Sequence, residues 1–296
     1  MADLCVLDRP DASPVLVTAD HDGAVRTWDL DTGSDLRTLA DTGEWTGTPA
    51  ACALPRPAAG PLLASADNGL AVTVWDPDTA LPIRQLTHPV DVRRAWSAPW
   101  PDGRTVLITD AGDRVVRIWD PDTGRLLHEM ADEAGYVLAA CVLPGPGDPL
   151  IAVSSTDGSV RLWDVAQRVV TPLFTDRAYV FHLCPVPLRD GGVLLATTGN
   201  DRVLRVRDPR RPDEPVLTMP HTDLPNALCT VTGPDGDPFL VTGGKGNTVR
   251  IWDLRGREVM ALPVLREVLA LAAVPQGLAI GMGHAVLMVE LCMDAW

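Results

Sequence analysis

Aromatic side chains and lysine are both scarce in this chain. Its 296 residues include 2 Tyr and 3 Phe, and Lys245 is the single lysine beside 24 arginines. The preference for Arg, with abundant Ala, Asp, Gly and Pro, is that of coding in a high-GC bacterial genome. A net charge of −14 with no basic stripe to offset it repels a polyphosphate, so no nucleic-acid partner is expected. The opening segment MADLCVLDRPDASP lacks the basic and apolar regions of a secretory signal, which makes the cytoplasm the expected compartment. Residues 268–289 carry no charge and have the length of a membrane span. However, Pro275, Gly277, Gly281 and Gly283 divide that run into three short pieces, which reads as strands, and no membrane is expected.

Signatures of chemistry are missing too. There is no phosphate-binding Gly-x-x-x-x-Gly-Lys-Ser/Thr, no Gly-x-Ser-x-Gly and no dinucleotide fingerprint. The glycine-rich GGKGN at 243–247 follows one strand and precedes another, so no helix N-terminus is available there to hold phosphate. No Cys-x-x-Cys or clustered His/Cys spacing points to zinc. The expectation is a non-enzymatic protein without a metal or cofactor.

What the chain has in abundance is repetition. A Trp-Asp pair recurs in AVRTWDLDTG (24–33), AVTVWDPDTA (71–80), VVRIWDPDTG (115–124), SVRLWDVAQR (159–168) and TVRIWDLRGR (248–257). Degenerate copies are VLRVRDPRRP (203–212) and AVLMVELCMD (285–294). The anchors fall at 28, 75, 119, 163, 207, 252 and 289, so seven units fill the chain. Around each anchor, apolar and polar residues alternate as in a half-buried strand, and Asp-Thr-Gly or a relative follows as turn composition. Almost nothing has a helical period.

These seven copies resemble the WD40 repeat family. The resemblance implies an all-β fold: a seven-bladed β-propeller of WD40 type with four-stranded antiparallel blades. As a single domain its blades cover about 1–40, 41–87, 88–131, 132–175, 176–220, 221–263 and 264–296. It also implies a hydrogen-bonded set inside each blade, made of a His before the inner strand, a Ser/Thr, a turn Asp and the anchor Trp. Blade 3 matches with His88, Thr109, Asp113 and Trp119. Blade 6 has His221, Thr242 and Trp252 but Gly246 for the Asp, and blade 5 has Arg207 for the Trp with Asp176 near the His slot. Because the set recurs with the repeat it reads as structural rather than as a catalytic triad.

Two features stand apart. Met1 aligns inside the inner strand of blade 1, and only LCMDAW follows Glu290, so blade 7 reads as lacking its fourth strand, with an open edge able to pair with another chain: either the sequence is the C-terminal part of a longer protein, or the last blade is three-stranded, or the edge is capped in an assembly. Five cysteines share one slot: Cys5, Cys52, Cys184 and Cys229 lie 23 residues before their anchors and Cys141 lies 22 before. A recurring slot in five blades reads as core packing, not as a ligand set.

Function is carried by the surface. In the family resembled here, partners dock where the inner strands begin and where the second-to-third-strand turns emerge. Carried over, the inner-strand positions are Arg93, Tyr136, Leu138, Tyr179, Phe181, Leu224 and Asn226, and the turns add Asn200 and Lys245. Both tyrosines and one of the three phenylalanines fall among them, and aromatic and Arg side chains carry much of the binding energy at interfaces. The expected function is a protein–protein interaction scaffold or sensor module, whose partner is another protein or peptide or a signalling domain of the same longer chain. The alternative is a propeller enzyme or small-ligand binder that uses the mouth of a central channel. In DRAYVFHLCPVP (176–187), Cys184 then belongs to the core slot, Tyr179 and Phe181 to the rim, and His182 has no assigned role.

Overall fold

The structure of the chain, a computed structural model, describes residues 3–9, 12–41, 50–56, 59–66, 69–100, 102–131, 135–144, 150–165, 167–176, 178–275, 277–283 and 285–291. Among these every regular element is a strand. The strands form seven antiparallel sheets, each joined in chain order by hairpins: six have four strands, and the seventh has three. This all-β arrangement of seven blades, the last with three strands, is the fold class read from the repeats. The uncharged run before the C-terminus is indeed three strands, Ala270–Val274, Gly277–Met282 and Ala285–Glu290.

Two compact units divide the chain, Met1–Glu133 and Ala134–Trp296. The first holds blades 1 to 3 and the second blades 4 to 7. In the second unit the first strands of blades 4 to 7 lie side by side in chain order. Apolar residues of first, second and third strands interdigitate between neighbouring blades, as where Val241, Val249 and Ile251 of blade 6 meet Val268, Leu278 and Ile280 of blade 7. A buried aliphatic side chain contributes roughly 1.5–3 kcal/mol, so such clusters dominate the stability of each unit.

The register explains the recurring cysteines. Cys5 pairs with Val17, Cys52 with Ala64, Cys141 with Ala152, Cys184 with Ala196 and Cys229 with Val241, each partner standing 11 residues before its anchor. Cys141 thus occupies the common slot although its hairpin is one residue shorter. Burial pushes the Cys184 thiol up to about 11, and raises Cys5, Cys52, Cys141 and Cys229 as well. Thiols so protonated are poor nucleophiles and poor metal ligands. Cys292 lies outside the described residues.

Turn chemistry sets the spacing after the anchors. The Asp29 carboxylate accepts from the amides of Asp31 and Thr32 at 3.0 and 2.7 Å, and Gly33 closes the turn at φ +67°. Asp120 with Thr123 and Gly124 repeats this, while Ala80 takes the same left-handed conformation at φ +60° without glycine's freedom.

Candidate docking face

Four of the candidate residues share a cause of their orientation that the sequence does not display. At the start of the first strand, blades 3, 4, 5 and 6 each contain a β-bulge. Ala111 pairs with Val92 and Asp110 with Arg94, which leaves Arg93 as the extra residue. The same shift leaves out Leu138 between Val137 and Ala139, Phe181 between Val180 and His182, and Asn226 between Pro225 and Ala227. A bulge re-aims a side chain and twists the strand locally. Blades 1, 2 and 7 have no such shift at the start of their first strands among the paired residues.

The residue two before each bulge is fixed to the turn that follows the second strand. Tyr136 donates its amide to Thr156 Oγ1 at 3.1 Å, and its carbonyl accepts from the Thr156 amide at 3.0 Å. Tyr179 does the same with Asn200, giving 2.9 Å to Oδ1 and 3.1 Å from the amide. In the other two blades the second bond recurs: Gly112 donates to Asp91 and Lys245 to Leu224, both at 3.1 Å. The chain's two tyrosines are therefore each held through both N–H and C=O by a single turn residue. Gly199 makes the approach possible, because a Cβ there would run into the Tyr179 carbonyl.

Within the second unit this construction holds Tyr136 at 39% exposure and Tyr179 at 47%, with Leu138, Phe181 and Leu224 half-buried. The rings of Tyr179 and Phe181 lie 6.4 Å apart and tilted by 42°, an edge-inclined pair. Lys245 is exposed in its turn. Asn226 is engaged, its amide donating to Glu267 of blade 7 at 2.5 Å. Asn200, a candidate contact by position, uses its side-chain oxygen on the Tyr179 amide and so serves that tyrosine. Thr156 has the equivalent job, and a short polar side chain directly after the second strand is the signal that marks both. In the first unit Arg93 is exposed and its guanidinium covers Gly112, where an added Cβ would lie 3.3 Å from Nη2. His182 is half-buried opposite Thr198.

The buried set inside the blades departs from its expectation in one member. In blade 3, His88 Nε2 and Thr109 Oγ1 are 2.8 Å apart, and Trp119 Nε1 donates to the same hydroxyl at 2.9 Å. Asp113 is not bonded to this His. Its carboxylate receives Arg117 at 2.6 and 3.2 Å, and His88 Nδ1 is satisfied by the Leu86 carbonyl at 2.9 Å. The reason is local: in blades 3, 4 and 5 an Arg stands two residues before the anchor, four residues after the turn Asp, and takes its carboxylate. Arg161 with Asp157 and Arg205 with Asp201 repeat the pair at 2.9 and 2.6 Å. Blade 6, with Gly246 in the Asp position, turns Arg250 to Glu258 at 2.6 Å.

No curated protein matched the chain. A family model described as WD domain, G-beta repeat matches residues 124–164 and 214–253. Together with the seven-bladed arrangement, these two matches support a WD40 repeat family.

Proposed function

We propose that the chain is a non-enzymatic protein-interaction module, and that its partner docks on the bulged first-strand starts of blades 4 to 6. WD40 repeat folds commonly mediate protein–protein interaction, and two stretches of this chain match that family. The observation that carries the finer reading is the double clamp on Tyr136 and Tyr179. The backbones of two exposed aromatic residues in an aromatic-poor chain are fixed before any partner arrives, which lowers the ordering cost of binding. Phe181 and Leu138 extend this surface with apolar area, and Leu224 continues it into blade 6. Lys245 offers the surface a cation. The partner is a protein or peptide, either a separate molecule or a signalling domain of a longer chain.

The test is capture from native lysate by wild type and by the Tyr136→Ala/Tyr179→Ala/Phe181→Ala variant. The expected result is that specific partners disappear from the triple variant while its far-UV spectrum and melting midpoint match wild type. Unchanged capture by a folded variant sinks the reading. Asn200→Ala sharpens it: Tyr179 keeps its ring and the bond to its carbonyl from the backbone amide of residue 200, but loses the bond from its own amide to the side chain, so affinity falls through faster dissociation, by about tenfold for one lost hydrogen bond.

A further inference from the structure

The third strand of blade 7 is built as an interior strand, and among the described residues one of its edges is free. Its residues Ala285–Glu290 pair on one side with Gly277–Met282, and among the described residues no strand pairs with the other side. The other six blades show what that costs in exposure. The position three before the anchor is Val25, Val72, Val116, Val160, Leu204 and Val249, all buried, whereas Val286 is half-exposed. Met288 is 36% exposed where Val74, Ile118, Val206 and Ile251 are at most 1%. Leu287, at 39%, stands where five blades place an Arg. An unpaired strand with apolar side chains on both faces and a single charge, Glu290, is a template for a further strand.

The chain itself supplies six examples of the strand that belongs there. The fourth strands end in Thr38-Leu39-Ala40, Gln85-Leu86-Thr87, Glu129-Met130-Ala131, Leu173-Phe174-Thr175, Thr218-Met219-Pro220 and Ala261-Leu262-Pro263. Each has a large apolar residue followed by Ala, Thr or Pro. The last residue always pairs with the first of the third strand, for instance Thr87 with Ala71 and Pro263 with Thr248. The apolar residue sits opposite the next: Leu86 faces Val72, Met130 faces Val116 and Met219 faces Leu204, with the three knobs 2–8% exposed. A bulge at this point in blade 1 leaves Leu39 buried in the same way. In blade 7 the corresponding receivers are Ala285 and Val286.

We propose that the free edge of Ala285–Glu290 is a docking site for an extended segment of a partner protein. The segment adds as an antiparallel fourth strand and sets a large apolar residue against Val286 and the following Ala, Thr or Pro against Ala285. Backbone hydrogen bonds give the affinity and the knob gives the selectivity. A second copy of this chain fits poorly. With Met288 of one edge opposite Val286 of another, the residue after the knob is Val289 rather than a small one, and each copy carries a charge of −14. With Leu287 in place of Arg, the segment is expected to be apolar or basic rather than acidic along its outer side.

The test uses the full chain and a synthetic peptide of sequence GREVMALP, the fourth strand of blade 6 (Glu258–Pro263) with the two residues before it, and a control in which its Leu is replaced by Asp. Binding is followed by fluorescence anisotropy, and amide exchange at 285–290 is followed by mass spectrometry. The expected result is saturable binding that slows exchange at these residues, with the Asp peptide at least tenfold weaker. Met288→Arg in the protein, a change at an exposed side chain, is expected to weaken binding by a similar factor. The Tyr136→Ala/Tyr179→Ala/Phe181→Ala variant is expected to bind this peptide as wild type does, which separates this site from the proposed docking face. Three results overturn the proposal: equal binding of the two peptides or none, exchange at 285–290 already slow in the isolated monomer, or a dimer protected there without peptide.

Discussion

Blade 6 places His, Thr and Trp at 221, 242 and 252, and its neighbour blade 5 places Asp, Thr and Arg at the equivalent 176, 197 and 207. In blade 6 the Thr242 hydroxyl accepts from Trp252 Nε1 at 3.1 Å and lies 2.8 Å from His221 Nε2. Since Nδ1 faces the Met219 carbonyl at 3.1 Å, it carries the ring proton, and Thr242 donates to a bare Nε2. The whole network is neutral. In blade 5 both outer members are charged. Arg207 Nη2 donates to Asp176 Oδ1 at 2.7 Å, with side chains 5% and 14% exposed, and its guanidinium carbon stands 4.0 Å over the Phe174 ring. Thr197 is a marginal partner at 3.5 Å, and Arg207 Nε and Asp176 Oδ2 have none. The comparison teaches that one slot accepts either chemistry, but only as a matched pair. Charge removed from water needs its counter-charge, whereas a neutral network needs only donors and acceptors in sequence.

The largest expected effect breaks that match. Arg207→Trp alone strands the Asp176 carboxylate in an apolar site, and equilibrium urea unfolding is expected to show a loss of about 3–5 kcal/mol. Asp176→His alone strands the guanidinium and is expected to cost a similar amount. The double variant rebuilds the blade 6 arrangement and is expected to return to wild-type stability or above it. Single effects that simply add in the double would show that the two residues are not coupled.

A smaller effect comes from blade 6 and depends on pH. His221→Ala removes the bond to Thr242 and the ring packed 5.2 Å from Trp252, for an expected loss of about 2 kcal/mol. Burial holds His221 below the usual histidine range, as it does His88 in blade 3. The unfolded chain therefore takes up the proton first. The stabilisation is complete above the unfolded value of about 6.5 and is lost as pH falls below it. Asp3 in the first unit has the opposite sign: burial raises it to about 6, so its contribution improves as pH drops from there toward the unfolded value near 4. Amide exchange in blade 6 isolates the histidine. Its protection is expected to fall between pH 7 and 5 in wild type and to stay level in His221→Ala; a level profile in both discards the neutral-network account.

Anchor spacing made the blades legible because each unit repeats one strand–turn–strand pattern, and the same alignment found the cysteine slot, Asp176 and Arg207. What it could not show follows from the physics of local signals. A bulge adds one residue without changing composition, and Ala139-Ala140 or His182-Leu183 give no clear alternation from which to read it. Nor does a turn Asp announce whether a His or an Arg will claim it, and Arg117 is closer in the chain to Asp113 than the alignment partner His88 is. The candidate positions came from the family resemblance, but the clamp on the tyrosines depended on atoms of Thr156 and Asn200 meeting a peptide unit some 20 residues away in sequence.

The smallest expected effect uses a third solution to the same slot, in blade 4 of the same unit. Thr18, Ser65, Thr109 and Thr242 each stand ten residues before an anchor Trp and accept its indole N–H, at 2.8–3.1 Å. Blade 4 has Val153 there. Trp163 is fully buried and its Nε1 has no acceptor. Thr matches Val in shape, so Val153→Thr places a hydroxyl where five other blades have one without forcing the packing. The new bond is offset by the cost of burying the hydroxyl, and the net gain expected from the urea midpoint is about 0.5–1 kcal/mol. Trp163→Phe is the complement: it deletes an unpartnered donor and is expected to cost less than Trp252→Phe, which breaks a bond and leaves Thr242 one donor short. If Trp163→Phe and Trp252→Phe cost the same, the hydroxyl is not what fixes the anchor, and the difference between blades 5 and 6 reduces to packing.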